Sequence, residues 1–170
     1  EECQLAFNKV QEGIVKSPFL GSFDVHKKTI LTTDASSKGL GASLSQVIDG
    51  KENIIALASR TLKDADNNYS VVEKEALACY WAIKHFKFFL SLPFTLRTDH
   101  KPLVPAFLTR TSVFTTPRIA RWLFELEGFN FTVEYLPRLR NITADCLSRL
   151  PIEKPWEADE PIEDAVLIVT

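Results

Sequence analysis

At 170 residues, with 45% hydrophobic and 25% charged residues, the chain has the composition of one globular domain with a sizeable core. Lys and Arg number 20 against 22 Asp and Glu, a formal net charge of -2 and a pI near 6.0, so composition withholds the basic excess of an autonomous nucleic-acid binder. No apolar run approaches the ~18 to 20 residues that span a bilayer, no signal peptide opens the chain, and no membrane partner is expected. Because it starts at Glu1 rather than Met, the chain is expected to be a piece of a longer polypeptide. Cys3, Cys79 and Cys146 match no zinc-ligand spacing and read as reduced core thiols. Asn68-Tyr69-Ser70, Asn130-Phe131-Thr132 and Asn141-Ile142-Thr143 fit a glycosylation pattern that recurs by chance and matters only in a secreted protein.

From Glu1 to about Lys16, apolar residues recur at Leu5, Ala6, Val10 and Ile14 until Ser17-Pro18, which predicts a leading helix within residues 1–20. Thr29–Ala35, Gly39–Ile48 and residues 53–59 read as strands, separated by a Ser-Lys-Gly turn and an Asp49-Gly50 turn, and make a three-stranded antiparallel meander. Ser70 with Glu73 forms a capping box that opens a helix expected to reach Leu90, and its mostly apolar circumference places it in the core. Phe94–Thr98 is a fourth strand, a short helix follows Pro102, and another spans residues 117–127. A fifth strand covers residues 129–135 and a last helix starts near Asn141. The order β-β-β-α-β-α-α-β-α predicts an α/β domain, residues 21–150, with a five-stranded mixed sheet flanked by helices. Residues 151–164 then carry three prolines and six acidic residues, as expected of a linker, and residues 165–169 fit either an extra strand or the start of the next segment of the polypeptide.

Asp34 closes the first strand and Asp99 follows the fourth, each preceded by a threonine. A helical crossover makes these strands parallel neighbours, and sites form beyond the carboxyl ends of such strands. On the crossover helix, ~100° per residue aligns Glu75 with Val71, Cys79, Ala82 and Phe86, whereas Glu73 points roughly 160° away and serves the capping box. Asp145 lies in the first turns of the last helix, where Asn141 is a candidate cap. Packed carboxylates repel, so such a cluster calls for cations. All-oxygen ligands select magnesium or manganese, and two ions ~3.5 to 4 Å apart suit phosphodiester hydrolysis.

The ordered pieces are Thr33-Asp34-Ala35-Ser36 with Gly39 and Gly41, Ala58-Ser59-Arg60, Asn68-Tyr69-Ser70 to Glu73-Lys74-Glu75, Thr98-Asp99-His100, Arg121-Trp122, and Asn141 to Asp145 followed by Leu147-Ser148-Arg149. In these residues, spanning about Cys3 to Pro151, the chain resembles the ribonuclease H domains of gypsy-type LTR-retrotransposon reverse transcriptases. The resemblance implies a ribonuclease H-like fold and an endonuclease that cuts the RNA strand of RNA/DNA hybrids during reverse transcription. It also implies two Mg2+ ions, replaceable by Mn2+, on Asp34, Glu75, Asp99 and Asp145. Tyr135 falls where the gypsy-type pattern has a tyrosine near the site, and an amphipathic strand-end tyrosine is the alternative reading. Ser36, Gly41, Arg97, Lys101, Arg118 and Arg121 are candidate nucleic-acid contacts, with surface ion pairing the alternative for the basic four. His85 and His100 read as a helix-surface residue and a neighbour of Asp99 rather than ligands. Trp81, Phe86, Phe88, Phe89 and Trp122 read as core rather than base-stacking residues.

The basic handle with which many relatives grip the hybrid is missing, because Leu90 passes through Ser91-Leu92-Pro93 straight into the next strand. Phosphate contacts dominate nucleic-acid affinity, so the domain is expected to lean on the preceding polymerase domain, with a second reverse transcriptase subunit as an optional partner. The resemblance places the parent enzyme in the cytoplasm, within virus-like particles. The main alternative is a catalytically silent structural or connection module of a reverse transcriptase; an integrase or transposase of the same fold is another. The four intact acids speak against the first, and the fourth-acid motif with Thr-Asp-His against the second.

Overall fold

The computed structural model describes residues 23–109 and 116–150 and the backbone of 166–168. The expected leading helix, Cys3 and residues 151–164 lie outside them. The meander forms as β1 (Thr29–Ala35), β2 (Gly39–Ile48) and β3 (Lys51–Thr61). The turn between β2 and β3 holds Asp49 at φ 50° and Gly50 at φ 75°, the double left-handed conformation of a tight hairpin turn. Pairing therefore runs to Ile48 opposite Lys51, and β3 extends two residues beyond each expected end.

A short helix that the sequence did not announce, α1 (Asp64–Asn67), follows; Asp66 accepts the Lys63 N–H and pairs with Arg60 at 3.1 Å. Next come α2 (Val71–His85), β4 (Phe94–Thr98), α3 (Leu103–Thr109), α4 (Pro117–Glu125), β5 (Phe131–Tyr135), a 3-10 turn at Arg138–Arg140 and α5 (Ile142–Arg149). Strand order is β5-β4-β1-β2-β3-β6, where β6 (Val166–Ile168) adds a sixth strand antiparallel to β3 beyond the five expected. β1 pairs in parallel with β4, and β4 with β5, so the sheet is mixed.

Two elements end or start elsewhere than periodicity suggests. α2 stops at His85 instead of Leu90: after the Phe86 N–H bonds to Ala82, those of Phe89 and Leu90 bond only three residues back. Phe86 and Leu90 remain buried, so the apolar spacing continues although the α-helix does not. Likewise the Phe129 N–H closes a turn on Leu126 beyond Gly128, which delays β5 to Phe131.

Successive strand residues face opposite sides of a sheet. Thr33 Oγ1 contacts Cys79 Sγ of α2 at 3.3 Å, whereas the Asp34 carboxylate is bonded by Ser148 of α5, so α2 and α5 cover opposite faces. On the α2 side, Leu31, Leu40, Leu44 and Leu96 pack with Ala76, Ile83 and Phe86, and α4 closes the layer with Ile119, Trp122 and Leu123. Burial of each large side chain contributes about 1.5–3 kcal/mol. On the other face, a β-carbon at Gly41 would collide with the Ala144 carbonyl oxygen and stand 2.5 Å from the Ser148 backbone nitrogen. The glycine thus lets α5 rest directly on β2.

Candidate metal centre

The parallel pairing of β1 with β4 sets Asp34 beside Asp99, and α2, returning the chain between them, brings Glu75 over the same edge. One carboxylate oxygen from each of these three residues lies within 4.8 Å of the others. The Glu75 carboxylate accepts the Ala35 backbone N–H, while its Oε2 is buried with no hydrogen-bond partner. Asp34 is 3% exposed and accepts a 2.5 Å hydrogen bond from Ser148 Oγ.

Burial and mutual repulsion hold all three proton affinities high. Burial first, then Asp34 and Asp99, pushes Glu75 up to about 9, against opposition from the Ala35 N–H and Arg138. Asp34 is pushed up to about 6, chiefly by burial and further by Asp99 and Asp145, while Ser148 and Arg138 pull the other way. Asp99 is raised by burial, with Asp145 adding to it and Arg138 and His100 opposing. Keeping three such carboxyls ionised together near neutral pH is costly without a cation. The unpartnered Glu75 oxygen and the all-oxygen donor set fit a hard divalent ion such as magnesium or manganese.

Asp145 stands near enough to raise Asp34 and Asp99 but outside the group of three. Its carboxylate is held by Arg149, one turn along α5, at 2.7 and 2.9 Å, and by Arg138 at 3.4 Å. The helix carrying it is pinned to β1. Asn141 Nδ2 donates to the Thr33 carbonyl at 3.0 Å, and the single Ser148 hydroxyl proton points to Asp34 at 2.5 Å while its Oγ also lies 2.9 Å from the Asp145 carbonyl oxygen. Asn141 therefore makes no side-chain cap, contrary to expectation, because its amide is drawn across to the sheet. Sequence reasoning missed the structural part of Asn141 and Ser148; the only trace was two small polar residues flanking Asp145 in Asn141 to Arg149.

Glu73 takes the other part assigned to it: it accepts the Ser70 N–H at 3.0 Å and pairs with Arg118 at 2.6 Å, and these bonds lower its proton affinity. Tyr135 lies opposite Thr98 in register, 40% exposed, with the Lys101 ammonium 4.8 Å from its ring centre. Ser36 Oγ donates to the Ser148 carbonyl at 2.6 Å, and Gly41 lies beneath α5. Arg97 faces away from α2 and pairs with Glu52 at 2.7 Å and Glu134 at 3.1 Å; Arg118 lies over the Tyr69 ring, and Arg121 is exposed. His85 packs between Trp81 and Phe86, and the His100 N–H bonds to Thr98.

Two expectations are corrected. Cys146 is exposed rather than in the core, since it falls on the outer side of α5, whereas Cys79 is buried and its thiol is pushed up to about 12 by burial. Phe88 is 83% exposed because it falls in the turns beyond α2, where Lys87 lies over its ring; Trp81, Phe86 and Trp122 are buried as expected.

This mixed sheet, with a central crossover helix and acids at one edge, is a ribonuclease H-like fold. A ribonuclease H1 of Halobacterium salinarum superposes with a TM-score of 0.55 at 22% identity, covering 71% of this chain and 93% of that one. A foamy viral protease-reverse transcriptase in complex with double-stranded DNA gives 0.62 at 19% identity, over 80% of this chain and 26% of that one. The chain belongs to the family of RNase H-like domains found in reverse transcriptase, whose model matches residues 24–129. The Pol polyprotein of transposon 412 from Drosophila melanogaster is 38% identical over 91% of the chain, and the Tf2-3 polyprotein of Schizosaccharomyces pombe is 38% identical over 89%. The chain spans 12% of the length of each of these polyproteins. Among the described residues no helix is long and apolar enough to cross a membrane.

Proposed function

We propose that the domain hydrolyses the RNA strand of RNA/DNA hybrids during reverse transcription, with Asp34, Glu75, Asp99 and Asp145 as ligands of two divalent ions. The observation that carries this reading is the convergence of Asp34, Glu75 and Asp99 at the end of two parallel strands, with one oxygen of Glu75 buried and unpartnered. Magnesium or manganese bound there would neutralise the scissile phosphate and lower the pKa of an attacking water. Asp34, fixed by Ser148, and Asp99 would set the ligand geometry; Glu75 would hold one side of the site from a largely buried helix. Asp145 would complete the set from α5 once its arginine partners let it turn inward.

A silent module has no use for these acids. Leaving Glu75 buried with a raised proton affinity costs stability that an apolar residue would not, which favours a working site. Relatives in which this segment is a small part of a polyprotein support a polymerase domain as its neighbour. A labelled hybrid, single-stranded RNA and RNA duplex, each incubated with Mg2+ or Mn2+, test the assignment. Cutting confined to the hybrid's RNA strand and abolished in Asp34→Asn is expected; an intact hybrid with the wild-type domain joined to its polymerase would overturn it.

A further inference from the structure

Beside the acids lies a cleft of about 410 Å³ whose wall includes Ser36, Lys38, Lys74, Arg138 and Arg149 and no acidic residue. Four cations on one small surface stand out in a chain whose formal net charge is -2. Several cations outside the cleft are engaged by carboxylates, Arg60 with Asp66, Lys84 with Glu125, Arg97 with Glu52 and Glu134, and Arg118 with Glu73, whereas the cleft gathers four cations on one wall. Lys38 and Lys74 have no ion pair with any described carboxylate, and both are anchored on ordered backbone, the β1–β2 turn and the first turn of α2. The positive end of the α2 dipole adds to the field there. Arg138 and Arg149, 66% and 49% exposed, line the same cleft and bridge to Asp145, so the basic wall runs directly into the acid cluster.

We infer that this cleft seats backbone phosphates of the nucleic-acid strand being cut, with Lys38 and Lys74 as its grip and Arg138 and Arg149 at the end nearest the acids. It lets an acidic domain without a basic handle hold a polyanion at the site. Ser36, two residues beyond Asp34, ties the cleft floor to the reacting edge through its bond to Ser148. The inference deepens the nuclease reading and rests on it for which strand is bound.

Binding of a fluorescent RNA/DNA hybrid to the 170-residue chain, measured by polarisation at low salt with Ca2+ in place of Mg2+, tests it. Wild type is compared with Lys38→Ala/Lys74→Ala and with Lys84→Ala/Lys87→Ala at the far end of α2. The cleft variant is expected to bind about tenfold more weakly, with a salt dependence shallower by about two phosphate contacts, while the far pair changes little. Equal losses in both variants, unchanged binding in the cleft variant, or no measurable wild-type binding would overturn the proposal. A parallel cleavage assay in Mg2+ separates the two readings. Lost binding with no cutting by wild type sinks the nuclease assignment and keeps a polyanion cleft, whereas normal cutting with unchanged binding sinks the cleft alone.

Discussion

Ser148 and Asp34, 114 positions apart in the chain, meet in a 2.5 Å hydrogen bond that joins α5 to the end of β1. The bond orients the carboxylate and lowers a proton affinity that burial has raised. Ser148→Ala is expected to push the Asp34 carboxyl further up and move the acid limb of the pH–rate profile to higher pH. Loss of a bond to a charged group, about 1.5–3 kcal/mol, corresponds to a roughly 10- to 100-fold fall in kcat/KM at neutral pH. A rate reduced equally at every pH would assign Ser148 to packing alone.

The two glutamates of α2 should separate cleanly. Glu73→Gln loses the charge that joins the capping box to Arg118 and is expected to cost about 1 kcal/mol of stability while divalent-ion binding survives. Glu75→Gln is expected to abolish ion binding and to stabilise the metal-free protein at pH 8. Thermal melts with and without Mn2+ read both effects, and a Glu75→Gln domain that still gains stability from Mn2+ would contradict the assignment.

Metal-free stability should fall as pH rises. Asp34 at about 6 and Glu75 at about 9 bind their protons more tightly folded than unfolded, where both titrate near 4. Their contribution is complete below about pH 4 and is lost progressively as pH climbs toward 9. Unfolding in EDTA is expected to show a decline on the order of 2 kcal/mol or more between pH 5 and 8 that Glu75→Gln flattens. Mg2+ should restore stability at the alkaline end, where the ligands are ionised. A profile in EDTA that rises over this range would argue that other groups dominate.

Gly41→Ala places a methyl against the backbone of α5 at Ala144 and Ser148. Because backbone cannot swing aside as a long side chain can, a loss of about 1–3 kcal/mol is expected. Activity should drop further than stability explains, since lifting α5 displaces Ser148 and Asp145 together. Urea titration and cleavage rates on the folded fraction check this.

Much of the arrangement was legible in the chain because it depends on local periodicity. β-Branched residues and flanking turns marked β1 and β2, and the helical wheel set Glu75 apart from Glu73, which matches Glu75 standing beside Asp34 and Asp99 and Glu73 closing the capping box. What the sequence hid is decided by groups distant in the chain. Asn141 bonds to a strand carbonyl 108 residues away instead of capping its own helix, and Asp145 is held by arginines rather than gathered with the other acids. For Arg97 the ion-pair alternative is the one present in the structure: strand alternation with Thr98 turns it to the other face, where Glu52 and Glu134 engage it. The α2 terminus was misplaced because Phe86 and Leu90 stay buried through tighter turns.

Direct titration of the domain with Mn2+ by calorimetry at pH 7.5, for wild type, Asp34→Asn and Asp99→Asn, tests the central claim that these acids form a metal centre. Saturable binding by wild type that either substitution eliminates is the expected result. Binding that persists unchanged in both variants, or wild-type protein that takes up no ion even with a hybrid present, would contradict it.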